Sequence, residues 1–439
     1  MMNFSSILSL VKNRFLLSIL ALGVGIGISY AVPAGHQSQT FVGDYQATSC
    51  PALGSGPTTV ELTDSRVGIR AISPKSTTLN TRHQGFQSVS KAPLFVDSTF
   101  GSSYTLSSKG GGGGVAAALC EPGSADEWFV GGSGSITGAG VLDIVNSGLS
   151  NSSVEILPYS SQAALPAFIV NIPANSDKSV RLDSLVAGDD LMALEVITRA
   201  GRVTSFMYDQ RQKGLSSLGM DYVAAGAQPS RHHIIPVGLN PSSAHGKVSS
   251  ALRILAPGQI DATISVKVES ADGEFTPVGL DSKVIPHGKV VQLPIANLIS
   301  SSLFSVVIDS DQPIVASLLS QNNADFGWAS TANPLSNMEL NFAGLTPSFA
   351  FTGTNISIKV QALLDNGKRI SKVLADSSFI AWNPGVKIRT ITFTSQGKSP
   401  VYGGALISSQ SGFAYLPLQS NTTPTQTLLP ITDVHSLTH

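Results

Sequence analysis

The stretch Cys120-Glu-Pro-Gly-Ser-Ala-Asp-Glu-Trp-Phe-Val-Gly-Gly132 separates two parts of the chain that differ in character. Before it, the sequence is rich in Ser, Gly and Thr, and its apolar segments are short. From Trp128 onward, apolar and polar residues alternate, and turn residues recur about every eight to twelve positions. This pattern is typical of antiparallel β-sandwiches. We therefore predict an all-β fold whose regular part begins at this stretch.

An internal repeat follows the stretch. Strand-like segments that start at positions 142, 172 and 203 recur at 252, 285 and 314, which are 110, 113 and 111 residues further on. A third, shorter and more diverged copy includes Ile356–Val360. The period suits a whole domain better than a solenoid repeat. We predict tandem immunoglobulin-like β-sandwich units over residues 126–230, 231–325 and 326–424, with a tail at 425–439.

Residues 35–125 lack this regularity. A chain of 439 residues is too long for a single ordinary core, so two to four domains are expected. Short strand-like pieces such as Thr58–Leu62 and Val67–Ile72 alternate with Ser/Thr/Gly stretches. We predict an irregular leader whose short strands extend the edge of the following sandwich.

The N-terminus resembles an export signal. Lys12 and Arg14 precede an apolar, uncharged run over residues 15–32, and small residues follow at Ala31 and Ala34. As a helix this run is about 27 Å long, close to the bilayer core of about 30 Å. Residues 1–34 are thus predicted to be either a cleaved signal peptide or a retained membrane anchor helix. The positive charge places the rest of the chain at the extracytoplasmic face of the cell membrane, or secreted after cleavage.

Export gives the two cysteines, Cys50 and Cys120, a structural interpretation. In an oxidising compartment we expect them to pair and to pin the leader onto the first sandwich. A catalytic or metal-bound thiol would need a nearby His or a second Cys at ligand spacing, which the sequence does not offer.

The composition argues against polyanion partners. Charged residues make up 13% of the chain and hydrophobic residues 42%, and 27 basic residues nearly balance 28 acidic ones. Lys and Arg form no cluster of the density that nucleic acids or anionic lipids require. We predict no nucleic-acid partner, and membrane contact only through residues 15–32 if they are retained.

Residues 110–132, together with the repeat, resemble an actinobacterial family of exported or membrane-anchored proteins of unknown function. The likeness rests on Gly113-Gly-Val-Ala-Ala-Ala-Leu-Cys120, on Trp128-Phe-Val-Gly-Gly132 and on the Leu-x-Ile-x-Asn segment that starts at Leu142. This chain has Asn146-Ser-Gly148 where the family pattern has Asn-Pro-Gly. The resemblance implies an N-terminal signal or anchor, and it brings no catalytic residues.

Two groups of side chains are candidates for a site. Asp126 and Glu127 beside Trp128 could contact a sugar, with Trp128 stacking on its face, but adjacent residues in an extended chain diverge. Packing of Trp128 at the end of a sandwich is the alternative.

His232 and His233 with Asp189 and Asp190 are the nearest approach to a metal site, but adjacent strand residues again point to opposite faces. We predict no catalytic, cofactor or metal site.

These observations favour a non-enzymatic exported protein of the cell envelope. Its β-sandwich surfaces would act as a scaffold or interaction module toward an envelope protein or glycan. The alternative is a carbohydrate-binding or glycan-processing accessory protein centred on Trp128.

Overall fold

The structure is a computed structural model, and nearly all of its regular elements are strands. It describes residues 40–41, 47–52, 58–63, 66–76, 78–83, 85–88, 92–97, 103–108, 113–239, 242–243, 246–295, 301–335, 337–419 and 427–428. The predicted signal or anchor over residues 1–34 lies outside these ranges. Within them, no helix is long and apolar enough to span a membrane. The all-β prediction is confirmed.

The chain divides into two compact units, one formed by residues 1–45 with 424–439 and the other by residues 46–423. The described part of the first unit consists of strands β1 (Thr40–Phe41) and β36 (Thr427–Leu428), which pair antiparallel. All elements described below belong to the second unit.

The described residues between 47 and 119 form the first of four sheet pairs, and it consists of two four-stranded sheets. Its strands are β2 (Ala47–Cys50), β3 (Thr58–Leu62), β4 (Val67–Ala71), β5 (Asn80–Arg82), β6 (Gly85–Ser88), β7 (Leu94–Asp97), β8 (Tyr104–Ser108) and β9 (Val115–Leu119). One sheet has the order β2-β7-β4-β5 and the other β6-β3-β8-β9. The prediction of an irregular leader that adds edge strands to the next sandwich is therefore wrong, because these strands pair with one another. Their small core includes Val60, Leu62 and Val96.

The second sheet pair begins at Asp126. Its strands are β10 (Asp126–Val130), β11 (Val141–Asn146), β12 (Ser152–Ser160), β13 (Phe168–Ile172), β14 (Ser176–Arg181), β15 (Met192–Ala200), β16 (Thr204–Lys213) and β17 (Ser216–Val223), and the one-turn helix α1 (Leu182–Leu185) follows β14. The sheets have the orders β10-β15-β12-β13 and β14-β11-β16-β17. Alternating burial along β12 and β15 directs apolar residues of both strands, such as Ile156 and Val196, into one core.

The third sheet pair is built around one long strand. Its strands are β18 (Ser230–Leu239), β19 (Ser242–Ser243), β20 (Gly246–Lys247), β21 (Ser249–Leu255), β22 (Ala262–Ser270), β23 (Gly273–Phe275), β24 (Lys283–Ile285), β25 (Val290–Ile295), β26 (Leu303–Gln321) and β27 (Phe326–Ser330). The first half of β26 pairs with β18 and β22, and its second half pairs with β21 and β27. Strand β27 completes this pair, so the predicted start of the next unit at residue 326 is wrong.

The fourth sheet pair has all eight strands, in the region where the sequence predicts a shorter and more diverged copy. Its strands are β28 (Asn337–Leu345), β29 (Ser348–Gly353), β30 (Ile356–Leu364), β31 (Arg369–Asp376), β32 (Phe379–Trp382), β33 (Ile388–Ser395), β34 (Val401–Ser409) and β35 (Gly412–Leu418). The sheets have the orders β28-β33-β30-β31 and β32-β29-β34-β35.

The four sheet pairs share one strand order. The first, sixth, third and fourth strands form one sheet, and the fifth, second, seventh and eighth form the other. In the third pair β26 serves as both sixth and seventh strand and makes the two sheets continuous, β23 and β24 share the fourth place, and β19 and β20 form a separate two-stranded sheet. An immunoglobulin constant domain has the orders ABED and CFG. Here the B–E and C–F neighbours are kept, but the first, fourth and seventh strands each lie in the opposite sheet. The sandwich-like, all-β part of the prediction therefore holds, and the strand order differs from that of an immunoglobulin domain.

Cys50 and Cys120 form a disulfide and both are fully buried. Cys50 ends β2 in one sheet of the first pair, and Cys120 follows β9, the last strand of the other sheet. Beside them, the backbones of Ser49 and Glu121 exchange two hydrogen bonds of 2.8 and 3.0 Å. The predicted pairing is confirmed, but the bridge joins the two sheets of the first pair and does not pin it to the next.

Candidate functional site

Trp128 is buried between the second and third sheet pairs. Its side chain is 4% exposed, and its ring stacks on Tyr159 with 6.0 Å between centroids. Both belong to an apolar cluster that also contains Leu255 and Val290 of the third pair. The ring is therefore covered by protein, as the packing interpretation expected, although its neighbour is the next sheet pair.

The two carboxylates before Trp128 do not act together. Glu127 is buried and its Oε2 accepts the backbone N–H of Ser205 on β16, in the opposite sheet, at 3.2 Å. Burial raises the pKa of Glu127 to about 8, and the nearby charge of Glu121 adds to this effect. Asp126 is partly exposed and burial raises its pKa less. Because Glu127 points into the sandwich and Trp128 points out of it, they present no common ligand surface.

The two histidines and the two aspartates considered as a metal site have separate partners. His232 Nδ1 lies 2.8 Å from Asp309 Oδ1, and His233 Nε2 lies 2.6 Å from the carbonyl oxygen of Ile314. Asp189 Oδ2 accepts hydrogen bonds from the backbone and hydroxyl of Ser161 at 2.8 and 2.6 Å. Within the described residues, no group of three or more His, Cys, Asp or Glu side chains is placed to hold a metal ion.

The other two tryptophans also pack against protein. Trp382 is partly exposed, but its ring stacks on Phe349 at 5.5 Å and Lys372 Nζ lies 4.5 Å from its centroid. A nearby open cavity of about 360 Å³ at the end of the fourth pair is lined by residues such as Leu364, Asp365 and Lys387, with no aromatic side chain among them. Trp328 is 1% exposed and lies on β27.

Strand β27 lies where the four sheet pairs meet. Strands β9, β17, β27 and β35, the eighth strand of each pair, contact one another in a closed cycle, and we call these four strands the hub. Each is the edge strand of its sheet, so one side of its backbone has no partner strand. Buried backbone N–H groups need acceptors, and in the hub several find them in two aspartates.

Asp325 is the first of these aspartates and is fully buried. It precedes β27 in a tight turn, where the side-chain oxygen of Asn322 accepts its backbone N–H at 2.8 Å. Its Oδ2 accepts the backbone N–H groups of Val115 and Phe413 at 3.1 and 2.9 Å, and its Oδ1 accepts that of Met220 at 3.3 Å. One carboxylate thus joins strands of all four sheet pairs. Burial raises its pKa to about 7, against the effect of these N–H donors.

Three glycines make room for Asp325. Gly114, Gly219 and Gly412 each immediately precede a residue whose N–H binds the carboxylate. All three have positive φ, at 101°, 116° and 150°. A Cβ atom at any of them would collide with the side chain of Asp325. The four hub segments therefore have Gly, Gly, Asp and Gly at corresponding positions. This pattern is visible in the sequence once the eighth strands are aligned, although the repeat described above does not include it.

Asp221 on β17 is the second aspartate. Its two carboxylate oxygens accept the N–H groups of Ala117 on β9 and Trp328 on β27, at 3.4 and 2.7 Å. Burial raises its pKa well above the usual value, and the charge of Asp325 adds to this effect. The two aspartates together supply acceptors to five backbone N–H groups on four edge strands.

Arginines surround Trp328 beside the hub. The guanidinium of Arg253 lies 4.7 Å from a ring centroid of Trp328 and donates to the carbonyl oxygen of Gly132 at 2.6 Å, across the boundary between the second and third pairs. Trp328 Nε1 donates to Asp209 Oδ2 at 3.1 Å, and Arg211 binds the same carboxylate at 2.8 Å. Burial lowers the pKa of Arg253 to about 9. These contacts hold the second and third sheet pairs in a fixed relative position. None of these side chains is arranged as a nucleophile beside a general base.

The remaining boundaries close the four pairs into a ring. Between the first and second pairs, Arg70 donates to the carbonyl oxygen of Ser147 at 3.0 Å. Thr352 of the fourth pair bonds Glu269 of the third. Between the fourth pair and the first, Asn341 Nδ2 donates to the carbonyl oxygen of Leu62 at 3.2 Å. Each sheet pair therefore contacts the next, and the last contacts the first.

Glu61 lies near the boundary that closes the ring. It is fully buried on β3 opposite Tyr104, whose ring packs on Phe342 of the fourth pair at 5.7 Å. Neither its carboxylate oxygens nor the Tyr104 hydroxyl has a hydrogen-bond partner among the described residues. Burial raises the pKa of Glu61 to about 8. The folded protein consequently holds this group protonated at neutral pH.

We expect Glu61→Gln to reduce the loss of stability at alkaline pH. Because the pKa of Glu61 is higher in the folded than in the unfolded chain, stability falls as pH rises from about 4.5 to about 8. Urea unfolding at pH 5 and pH 8 should show that wild type loses at least about 2 kcal/mol more than the variant over this interval. Glu274→Gln, at an exposed ion pair, is the control. An identical pH dependence in wild type and Glu61→Gln would contradict the prediction.

Comparison with known proteins gives a family and little more. The model of a family of unknown function, DUF5719, matches residues 90–373, which run from the first sheet pair into the fourth. No curated protein matches the sequence. Among solved structures, a tetra-tandem repeat in the extending region of a large adhesion protein is similar at 11% identity, over 86% of this chain and 99% of that one, with a TM-score of 0.12. A TM-score this low gives no information on the present fold.

Proposed function

We propose that this chain, which belongs to the family of unknown function DUF5719, is a non-enzymatic exported protein of the cell envelope that acts as a scaffold or interaction module. The observation that carries the proposal is the hub. Its aspartates hold strands of all four sheet pairs together, so the outward sheets and edges keep fixed relative positions. A rigid set of surfaces suits contacts with another envelope component.

We further infer that the four sheet pairs are tandem copies of one sandwich unit. Their common strand order and the repeat distances of about 110 residues support this inference. The units are immunoglobulin-like in the broad sense of two antiparallel sheets that keep the B–E and C–F neighbours.

The extracytoplasmic location rests on two features. A buried disulfide between the two cysteines of the chain is typical of oxidising compartments. The charged, then apolar, N-terminal sequence is typical of an export signal or anchor. The glycan alternative would need an aromatic side chain with a free face beside polar groups, and Trp128 is covered by the third sheet pair.

Capture from envelope extract tests the proposal. With residues 35–439 immobilised, we expect a protein or glycan of the envelope to be retained, and treatment of the extract with protease or with polysaccharide hydrolases to tell which. The matched control is the same fragment unfolded by reduction and urea, because scaffold surfaces require the folded ring.

A protease-accessibility experiment on cells that produce this protein tests its location. Protease added to intact cells stripped of wall should degrade the chain beyond about residue 35. Complete protection would exclude export, and retention of no envelope component by the folded fragment would contradict the scaffold function.

A further inference from the structure

Strand β13 is an exposed edge without a protective charge. It is the last strand of the sheet β10-β15-β12-β13, and its only sheet partner among the described strands is β12. Phe168 is 40% exposed and Ile169 is 72% exposed. No charged residue occurs between Glu155 and Asp177. An uncharged, apolar edge with unpaired backbone groups is a template for pairing with another strand, even where it is as short as the five residues of β13.

The corresponding fourth strands of the other sheet pairs provide an internal comparison. Each carries at least one charge, the usual protection of an edge strand. The charged residues are Arg82 on β5, Glu274 on β23, Lys283 on β24, and Arg369, Lys372 and Asp376 on β31. The absence of such a charge is thus specific to β13 among these strands.

We propose that two copies of this chain associate through β13, edge to edge and antiparallel, about a two-fold axis at Val170. In this register Phe168 of one copy lies opposite Ile172 of the other, and Ile169 lies opposite Asn171. Pairs of an aromatic and a β-branched residue are favourable across strands, and no like charges meet. Two-fold dimers in which the same patch serves both partners are the commonest oligomers.

The length and charge of the edge fit a second copy better than a long peptide. Pro166 on one side and Pro173 on the other cannot donate ladder hydrogen bonds, so the usable edge is about as long as β13 itself. A second copy presents the same short strand between the same prolines. The neighbouring charges, Glu155 and Arg199, already form an ion pair, which leaves the outer face beside β13 neutral on both copies.

The contact is small, so the dimer is weak. A single strand pair with its flanking loop lies at the low end of interface sizes, and we expect a dissociation constant on the order of 10–100 µM. The self-pairing goes beyond the proposed function, since it involves no envelope component and does not depend on one.

Charge reversal across the axis tests the proposal. Ile169 and Asn171 are both exposed, so Ile169→Lys with Asn171→Lys, and Ile169→Glu with Asn171→Glu, should leave the fold intact. In the proposed register each homodimer of a double variant places like charges directly opposite, whereas a mixed dimer places opposite charges there. The full chain in nonionic detergent is examined by sedimentation equilibrium from about 5 µM to about 1 mM.

We expect wild type to dimerise, each double variant to bind itself at least about 10-fold more weakly, and an equal mixture of the two variants to recover the dimer. Val373→Lys on β31, at a corresponding exposed edge, should dimerise like wild type. Wild type that stays monomeric, dimers that persist in both double variants, or a mixture that stays monomeric would each overturn the proposal. Retention of an envelope component on β13 by a monomeric wild type would overturn it as well.

Discussion

Asp325→Ala is expected to lower the free energy of unfolding by roughly 5 kcal/mol. The substitution leaves the buried N–H groups of Val115, Met220 and Phe413 without their acceptor, and each unsatisfied buried donor costs about 1–3 kcal/mol. Urea unfolding followed by tryptophan fluorescence measures the loss. Hydrogen exchange supplies the local test, because the amide protons of these three residues should exchange fastest relative to wild type.

Two further variants separate the hub from a general effect of losing a charge. Asp325→Asn keeps one acceptor oxygen, so it can serve Val115 and Phe413 while its NH₂ group faces the N–H of Met220; we expect a loss of about 2 kcal/mol. Asp309→Ala removes an exposed carboxylate of the same sheet pair and should change stability by less than about 1 kcal/mol. Equal losses in Asp325→Ala and Asp309→Ala would contradict the role of the hub.

The hub also explains how this chain protects some of its sheet edges. Every sheet of a sandwich has two edge strands, and exposed edges promote aggregation. The four eighth strands turn their free edges toward one another, where Asp221 and Asp325 accept their N–H groups. The outer edges β5, β24 and β31 carry charges instead. Both solutions follow from the same physical requirement.

The sequence predicted the β-rich body because alternation of apolar and polar residues is a local signal. Strand β22 shows it fully, with buried and half-buried residues alternating along its length. The strands of the first sheet pair are three to five residues long, and β9 is buried at every position, so neither alternates enough to be recognised. The burial of β9 depends on the neighbouring sheet pairs, which no local pattern reports.

The candidate site shows the same limit. That Asp126 and Glu127 diverge could be argued from the geometry of an extended chain, and Glu127 does point into the sandwich. The importance of Asp325 could not be argued, because it depends on residues about 90–210 positions away meeting at one point. An isolated Asp in an Asn/Asp turn is ordinarily a solvated turn residue.

Removal of the disulfide is expected to lower the free energy of unfolding by about 4 kcal/mol, since the bridge closes a loop of 70 residues. The stability of the first sheet pair depends strongly on this disulfide because its core is small. Its own core cluster is small, whereas the cluster centred on the third pair contains several times as many buried side chains. A small core supplies little stability without a cross-link.

The loss should be local. In Cys50→Ser with Cys120→Ser, or after reduction of wild type, residues 58–108 should gain hydrogen exchange first, because the bridge joins the two sheets that they form. Strands β15 and β22 lie in separate cores and should stay protected. Reductant should have no further effect on the double variant, which separates the bridge from other effects of the reagent. Equal gains of exchange in all four sheet pairs would instead mean that the ring unfolds as one body when its first member loosens.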